Sequence, residues 1–121
     1  MENATIKNQQ ISYSQVYIDN IAYLVKSYLE LNNLNKVDRN FGLPIVQFSK
    51  DKKVLGFASL VLNEEQKIKY KIFDLAKIST DEQSEISSIL NNYIEEKQTG
   101  NFKNPEQLGA SIESFIFWMN S

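Results

Sequence analysis

The chain has 121 residues, 42% apolar and 23% charged, with 15 acids against 13 bases and a net charge of −2. That length suits one domain with a substantial buried core, and so small a net charge predicts no nucleic-acid or membrane partner by bulk electrostatics. Histidine and cysteine are both absent, which excludes imidazole- and thiol-based nucleophilic catalysis, zinc-finger sites, thiolate-ligated iron–sulfur clusters, and disulfides.

Residues 1–11 read as a flexible polar tail ahead of a single α+β domain over residues 12–121. The tail lacks the apolar block of a secretory signal, and no run of about 18 apolar residues follows it, so cytoplasmic residence is the expectation. Ser12-Tyr13-Ser14-Gln15 has the spacing of a capping box. Tyr17, Ile21, Leu24, Tyr28 and Leu31 then recur at helical intervals, predicting a helix over about residues 13–31 that ends at Asn32-Asn33. Residues 35–44 read as a connecting loop, because Gly42 and Pro44 interrupt any regular element.

Three β-like segments come next, at 45–49, 54–62 and 67–73, joined by the polar connections 50–53 and 63–66. They predict an antiparallel meander. Asn63-x-x-Gln66 also has cap spacing for a helix carrying Ile68, Ile72, Leu75 and Ala76, but the strict alternation from Lys67 to Ile72 favours a strand. Ser79 and Glu82 form a second capping box, followed by Ile86, Ile89, Leu90, Tyr93 and Ile94, with Gly100 as the stop. Asn104-Pro105 opens a last helix through Leu108, Ile112, Phe115 and Met119. The predicted order is α-β-β-β-α-α: an N-terminal helix, a three-stranded antiparallel meander and two C-terminal helices.

If both connections are regular four-residue hairpins, alternation gives the sheet two unlike faces. One carries Val46, Phe48, Leu55 and Phe57 and belongs to the core. The other sets a small-residue apolar strip, Gly56, Ala58, Leu60 and Leu62, beside Lys67, Lys69 and Lys71. Either a helix covers the strip while the lysines guard a sheet edge, or the face is a docking surface on which the lysines steer an acidic partner. Leu60, Leu62, Lys67, Lys69 and Lys71 are therefore the candidate binding residues. The end of the last helix, residues 115–119, is apolar on every side and needs two buried contacts. This makes Phe115, Phe117 and Trp118 candidates for self-association into a homo-oligomer.

Glu82 with Glu85, and Glu64 with Glu65, sit where solvated charge is expected. No calcium-loop spacing and no glycine-rich phosphate cradle occurs. No catalytic residue, metal or cofactor is therefore assigned. Lys50, Lys52 and Lys53 together with Lys67, Lys69 and Lys71 make a nucleic-acid-binding accessory protein the alternative. Against it, twelve of the thirteen basic residues are lysine, Arg39 being the exception, and arginine forks are the usual tool of phosphate and base recognition. The second helix turns Ser84, Ser87, Ser88, Asn91 and Asn92 outward as an uncharged polar face. Thirteen asparagines and thirteen isoleucines beside the lysines reflect AT-rich coding, as in low-GC bacteria, their phages and plasmids. The expectation is a small non-catalytic protein-binding module, an adaptor, inhibitor, immunity or accessory factor that works by stoichiometric association with another protein.

Overall fold

The computed structural model describes residues 11–97 and 100–120, and Ile18 by its backbone alone. It is an α+β fold in the order β1 (Ser12–Gln15), α1 (Ile18–Asn32), β2 (Leu43–Lys50), β3 (Lys53–Leu62), β4 (Ile68–Asp74), α2 (Thr80–Glu96), α3 (Gly100–Lys103) and α4 (Pro105–Met119). The four strands form one antiparallel sheet in the order β1-β2-β3-β4. The expected polar tail, apart from Ile11, lies outside the described residues. Ile11 itself is buried, and its N–H donates to a Glu85 carboxylate oxygen at 3.0 Å.

The first correction is at residues 12–15, which form a strand and not a helix start. Ser12 to Gln15 pair with Ser49 to Val46, so the backbone donors that a helix cap would have served are taken by β2. The helix begins later, with Tyr17 as its cap residue and the Tyr17 N–H donating to Asn20 Oδ1 at 3.1 Å. Its predicted end holds: Asn33 adopts the left-handed conformation, φ 54°, and the Leu34 N–H closes onto the Leu29 carbonyl.

The loop before β2 is more than a connector. Phe41 is fully buried, Val37 nearly so, and Gly42 makes the approach possible at φ +72°, where a Cβ would stand 2.4 Å from the Leu60 carbonyl oxygen. Pro44, expected in the loop, lies inside β2 opposite Ser59, next to a register shift at Ile45.

Two features reset the sheet register. A second irregularity, at Leu55, pairs Phe48 with Gly56 and not with Leu55. The β3–β4 connection is a three-residue loop: Gln66 takes φ 63°, and the Asn63 N–H donates to the Lys67 carbonyl. Leu62 accordingly pairs with Ile68, where a four-residue hairpin would have paired it with Lys67. A one-residue slip moves every side chain to the other face.

Both faces of the central strands β2 and β3 are consequently apolar and covered. Phe48, Ala58 and Leu60 join Ile86 and Leu90 of α2 in one cluster. Phe57, Phe41 and Phe73 meet Leu24, Val25 and Tyr28 of α1 in the other. The aromatic rings there are in van der Waals range, with Tyr28 against Phe41 at 4.8 Å and Phe57 against Phe73 at 5.0 Å between centroids. Burial and the nearby Asp38 carboxylate push the Tyr28 hydroxyl pKa up. Each large apolar side chain fully buried this way stabilises the fold by about 1.5–3 kcal/mol.

Helix α4 joins the two layers. Leu108 and Ile112 enter the α2-side cluster, while Phe115 and Met119 enter the α1-side cluster. The last helix thus finds both of its apolar layers within its own chain. Its start follows the sequence, with Asn104 Oδ1 accepting from the Glu106 and Gln107 N–H groups. The capping box of α2 is likewise present, Ser79 Oγ accepting from the Glu82 N–H at 3.1 Å. Gly100, expected to follow the end of α2, opens the short helix α3 instead, and α2 ends at Glu96.

Candidate functional site

The five residues assigned to a binding face are divided by the fold. Leu60 is buried under α2, and Leu62 is half-buried on the same side. Lys69 and Lys71 pair with Val61 and Ser59, which point to the α1 side. Lys67 sits at the β3–β4 turn, 3.8 Å from Glu65. The mixed apolar and lysine face therefore does not exist as one surface. Gly56 serves the fold as well, since a Cβ there would lie 2.3 Å from the Phe73 carbonyl oxygen of β4.

The lysines of the alternative reading are also separated. Lys50, Lys52 and Lys53 flank the β2–β3 turn, whereas Lys67 lies at the β3–β4 turn. The ten residues of β3 separate these turns by roughly 30 Å. Lys50 is engaged besides: its ammonium donates to Glu82 at 2.9 Å. That hydrogen bond holds the Lys50 pKa above its ordinary value. Glu82, accepting from the Ser79 backbone N–H first and from Lys50 second, is held below its own. Glu85 is used by the Ile11 N–H. Of the carboxylates noted in the sequence, Glu82 and Glu85 thus serve as fastenings of α2, whereas Glu65 stays in the β3–β4 turn beside Lys67.

An unforeseen constellation lies at the β1 edge. Tyr13 shares a face with Phe48 and meets Tyr93 of α2 edge-on, ring centroids 6.1 Å apart. Tyr17 stands near enough that its hydroxyl, after burial, contributes with Tyr13 to raising the Tyr93 pKa. The Lys97 ammonium sits 4.6 Å from the centre of the Tyr93 ring, a cation–π contact. Tyr13 and Tyr17 remain 52% and 58% exposed. All of Ser12–Gln15 is exposed, and among the described residues no strand pairs with the outer edge of β1. The sequence signal was the Ser-Tyr-Ser-Gln alternation, which the Ser-x-x-Gln cap spacing overrode.

Of the self-association candidates, Phe115 is a core residue, stacked on Phe41 at 5.9 Å. Phe117 and Trp118 face outward. Beside Trp118 runs an open cleft of about 470 Å³ along α4. A second cleft, of about 410 Å³, has Leu62, Gly109 and Ile112 along it and the Arg39–Glu113 ion pair at its rim.

Among the described residues no group of three or more acidic side chains is placed to hold a metal ion, and no helix is long and apolar enough to cross a membrane. Among the described residues, the groups with displaced pKa values are Tyr28, Lys50, Glu82 and Tyr93. Each moves away from neutrality. No known protein family, no curated protein and no solved structure matches this chain.

Proposed function

We propose that the chain is a non-catalytic protein-binding module that acts by stoichiometric association, and that the partner docks at the β1 edge. The observation that carries this is the exposed tyrosine pair, Tyr13 and Tyr17, beside a strand edge with no charged side chain. An unpaired strand edge offers a row of backbone donors and acceptors to an extended segment of another protein. Tyrosine supplies large contact area at low entropy cost and is enriched among the residues that dominate binding energy. The Ser88 and Asn92 surface of α2 is exposed and uncharged and extends the same chemistry.

The test is capture of partners by wild-type bait and by two variants. Tyr13→Ala/Tyr17→Ala should weaken the complex at least tenfold, as truncating interface anchors does. Lys69→Glu/Lys71→Glu on the far edge should leave it unchanged. Loss in the lysine variant alone would move the interface to β4. Tight, steeply salt-dependent binding of DNA or RNA would replace the proposal with the nucleic-acid reading.

A further inference from the structure

Independently of the β1 edge, we infer that α4 is a self-complementary surface through which two copies pair antiparallel, Trp118 and Phe117 of one copy seated on Ala110 and Ser111 of the other. The outward stripe of this helix is Gln107, Ala110, Ser111, Ser114, Phe117 and Trp118, opposite the core positions Leu108, Ile112, Phe115 and Met119. Spacings of three and four put all six on one side of an α-helix. Along the stripe, size is segregated: beyond Gln107, which lies against Gly100 of α3, the side chains of Ala110, Ser111 and Ser114 are small, Ser111 being half-buried with its Oγ donating to Asn101 Oδ1 of α3, and the two large aromatics fill the last turn. Trp118 is 54% exposed and Phe117 78%. The cleft lined by Gln107, Ala110, Ser111, Ser114, Phe115 and Trp118 is the hollow that this segregation leaves.

A two-fold axis through Ser114 turns that asymmetry into a match. Positions equidistant from the pivot face each other, so Trp118 stands over the partner's Ala110 and Phe117 over the partner's Ser111. A parallel pair would instead set aromatic on aromatic and hollow on hollow. An isologous contact of this kind closes at two copies. Charge agrees with the geometry. Glu113, one residue from the pivot, is brought near its own copy, and it arrives already paired with the Arg39 guanidinium. The two chains together contribute two cations and two anions there, with no net repulsion to overcome.

The size of the contact sets its strength. At 150–250 Å² per aromatic side chain, the exposed parts of Trp118 and Phe117 amount to on the order of 250 Å² per chain. Each copy also covers its partner's hollow, which brings the total near 1,000 Å², the lower bound for a specific interface. The dimer is therefore weak and reversible, with a dissociation constant of roughly tens of micromolar.

Sedimentation velocity across concentrations spanning about tenfold either side of that constant should show a monomer–dimer exchange. Trp118→Ala and Ala110→Glu, both at exposed positions, should each leave a monomer with unchanged circular dichroism. Arg39→Glu, which makes the pivot uniformly acidic, should weaken pairing at least tenfold at low salt and less at high salt. Ser114→Cys introduces the only cysteine of the chain at the pivot, where close helix packing brings the two Cα atoms within disulfide range, about 4.4–6.8 Å. Under mild oxidant it should become a covalent dimer, and Ser88→Cys on α2 should not. A wild-type mass that stays monomeric throughout, a dimer that survives Trp118→Ala, or a Ser114→Cys protein that oxidises no faster than Ser88→Cys would overturn the inference.

Discussion

The two edges of the sheet are built on opposite plans. β4 ends the sheet with seven residues whose α1-side row carries Lys69 and Lys71, and the Lys71 ammonium lies 5.2 Å from the centre of the Phe73 ring. Lysine along an edge discourages another strand from pairing with it. β1 ends the other side with four residues, none of them charged, and with Tyr13 braced by Tyr93. One edge carries charge along its length and the other carries none. Exposure alone does not distinguish them, and neither does an aromatic held by α2, since Tyr70 of β4 is 41% exposed and donates to Asn91; the difference lies in charge and length.

The comparison is sharpest where an edge can be lost outright. β4 depends on Gly56, because only hydrogen in place of a Cβ lets the Phe73 carbonyl approach. Gly56→Ala should cost at least about 2–3 kcal/mol by overpacking a backbone contact. Tyr13→Ala on the β1 side should cost less than about 1 kcal/mol, since the ring is half in solvent and gives up one aromatic pair. Urea unfolding of the two variants measures both. Equal losses would mean that β1 is as integral to the fold as β4, and the contrast between the edges would fail.

Charge is the second contrast, and it can be removed. Lys69→Val/Lys71→Val leaves β4 long, apolar and unguarded, so light scattering should show concentration-dependent growth of species larger than a dimer, beyond the monomer–dimer exchange of wild type. If the double variant scatters no more than wild type, the lysines are ordinary solvated side chains and edge protection is not their role.

How far these edges could be read from the residues depends on what fixes them. The capping signals at Ser79 and Asn104 are local, and both helices start where the sequence places them. The alternation from Lys67 to Ile72 is local too, and β4 is a strand. Face assignment is not local. It was lost through Leu55, whose extra residue in β3 no composition rule announces, and through Gln66, whose left-handed backbone makes a three-residue loop where four polar residues suggested an even hairpin. Two slips of one residue were enough to invent a lysine-and-leucine face and to hide the double-sided core. Phe41 was missed for a related reason, as a loop bounded by glycine and proline can still plug a core when the glycine takes a positive φ. The β1 edge was missed because Ser12–Gln15 satisfies a helix-cap pattern, and only the partner strand decides against it.

Helix α2 is fastened near β1 by ionic contacts, which gives that side a pH signature. Glu82 is lowered below its ordinary value of 4.5, so its contribution is fully present above 4.5 and disappears as pH falls through the lower folded value. Lys50 is raised above 10.5, so its contribution is complete below 10.5 and disappears as pH rises through the higher folded value. Between these limits the pair is constant. Glu82→Gln should lower the melting temperature at neutral pH and shrink the gap from wild type below pH 4, as measured by thermal melts across that range. A gap independent of pH would reassign Glu82 to packing alone.

The smallest effect concerns the strand between the edges. Ser59 is wholly buried on the α1 side of β3, and its hydroxyl has no hydrogen-bond partner among the described residues. Burying an unpaired hydroxyl costs about 1–3 kcal/mol, whereas a methyl group in the same space costs nothing comparable. Ser59→Ala should therefore raise stability by about 1 kcal/mol, read as a higher urea midpoint at unchanged slope. The slope matters, because a steeper one would mean altered compactness and not relief of one polar group. Tested beside Tyr13→Ala and Lys69→Val/Lys71→Val, Ser59→Ala is the control with neither edge touched: it should leave partner capture and scattering as they are. A fall in stability would show that the hydroxyl is doing work in the core, and the Phe41 and Gly42 loop packed over Ser59 would be the place to look for it.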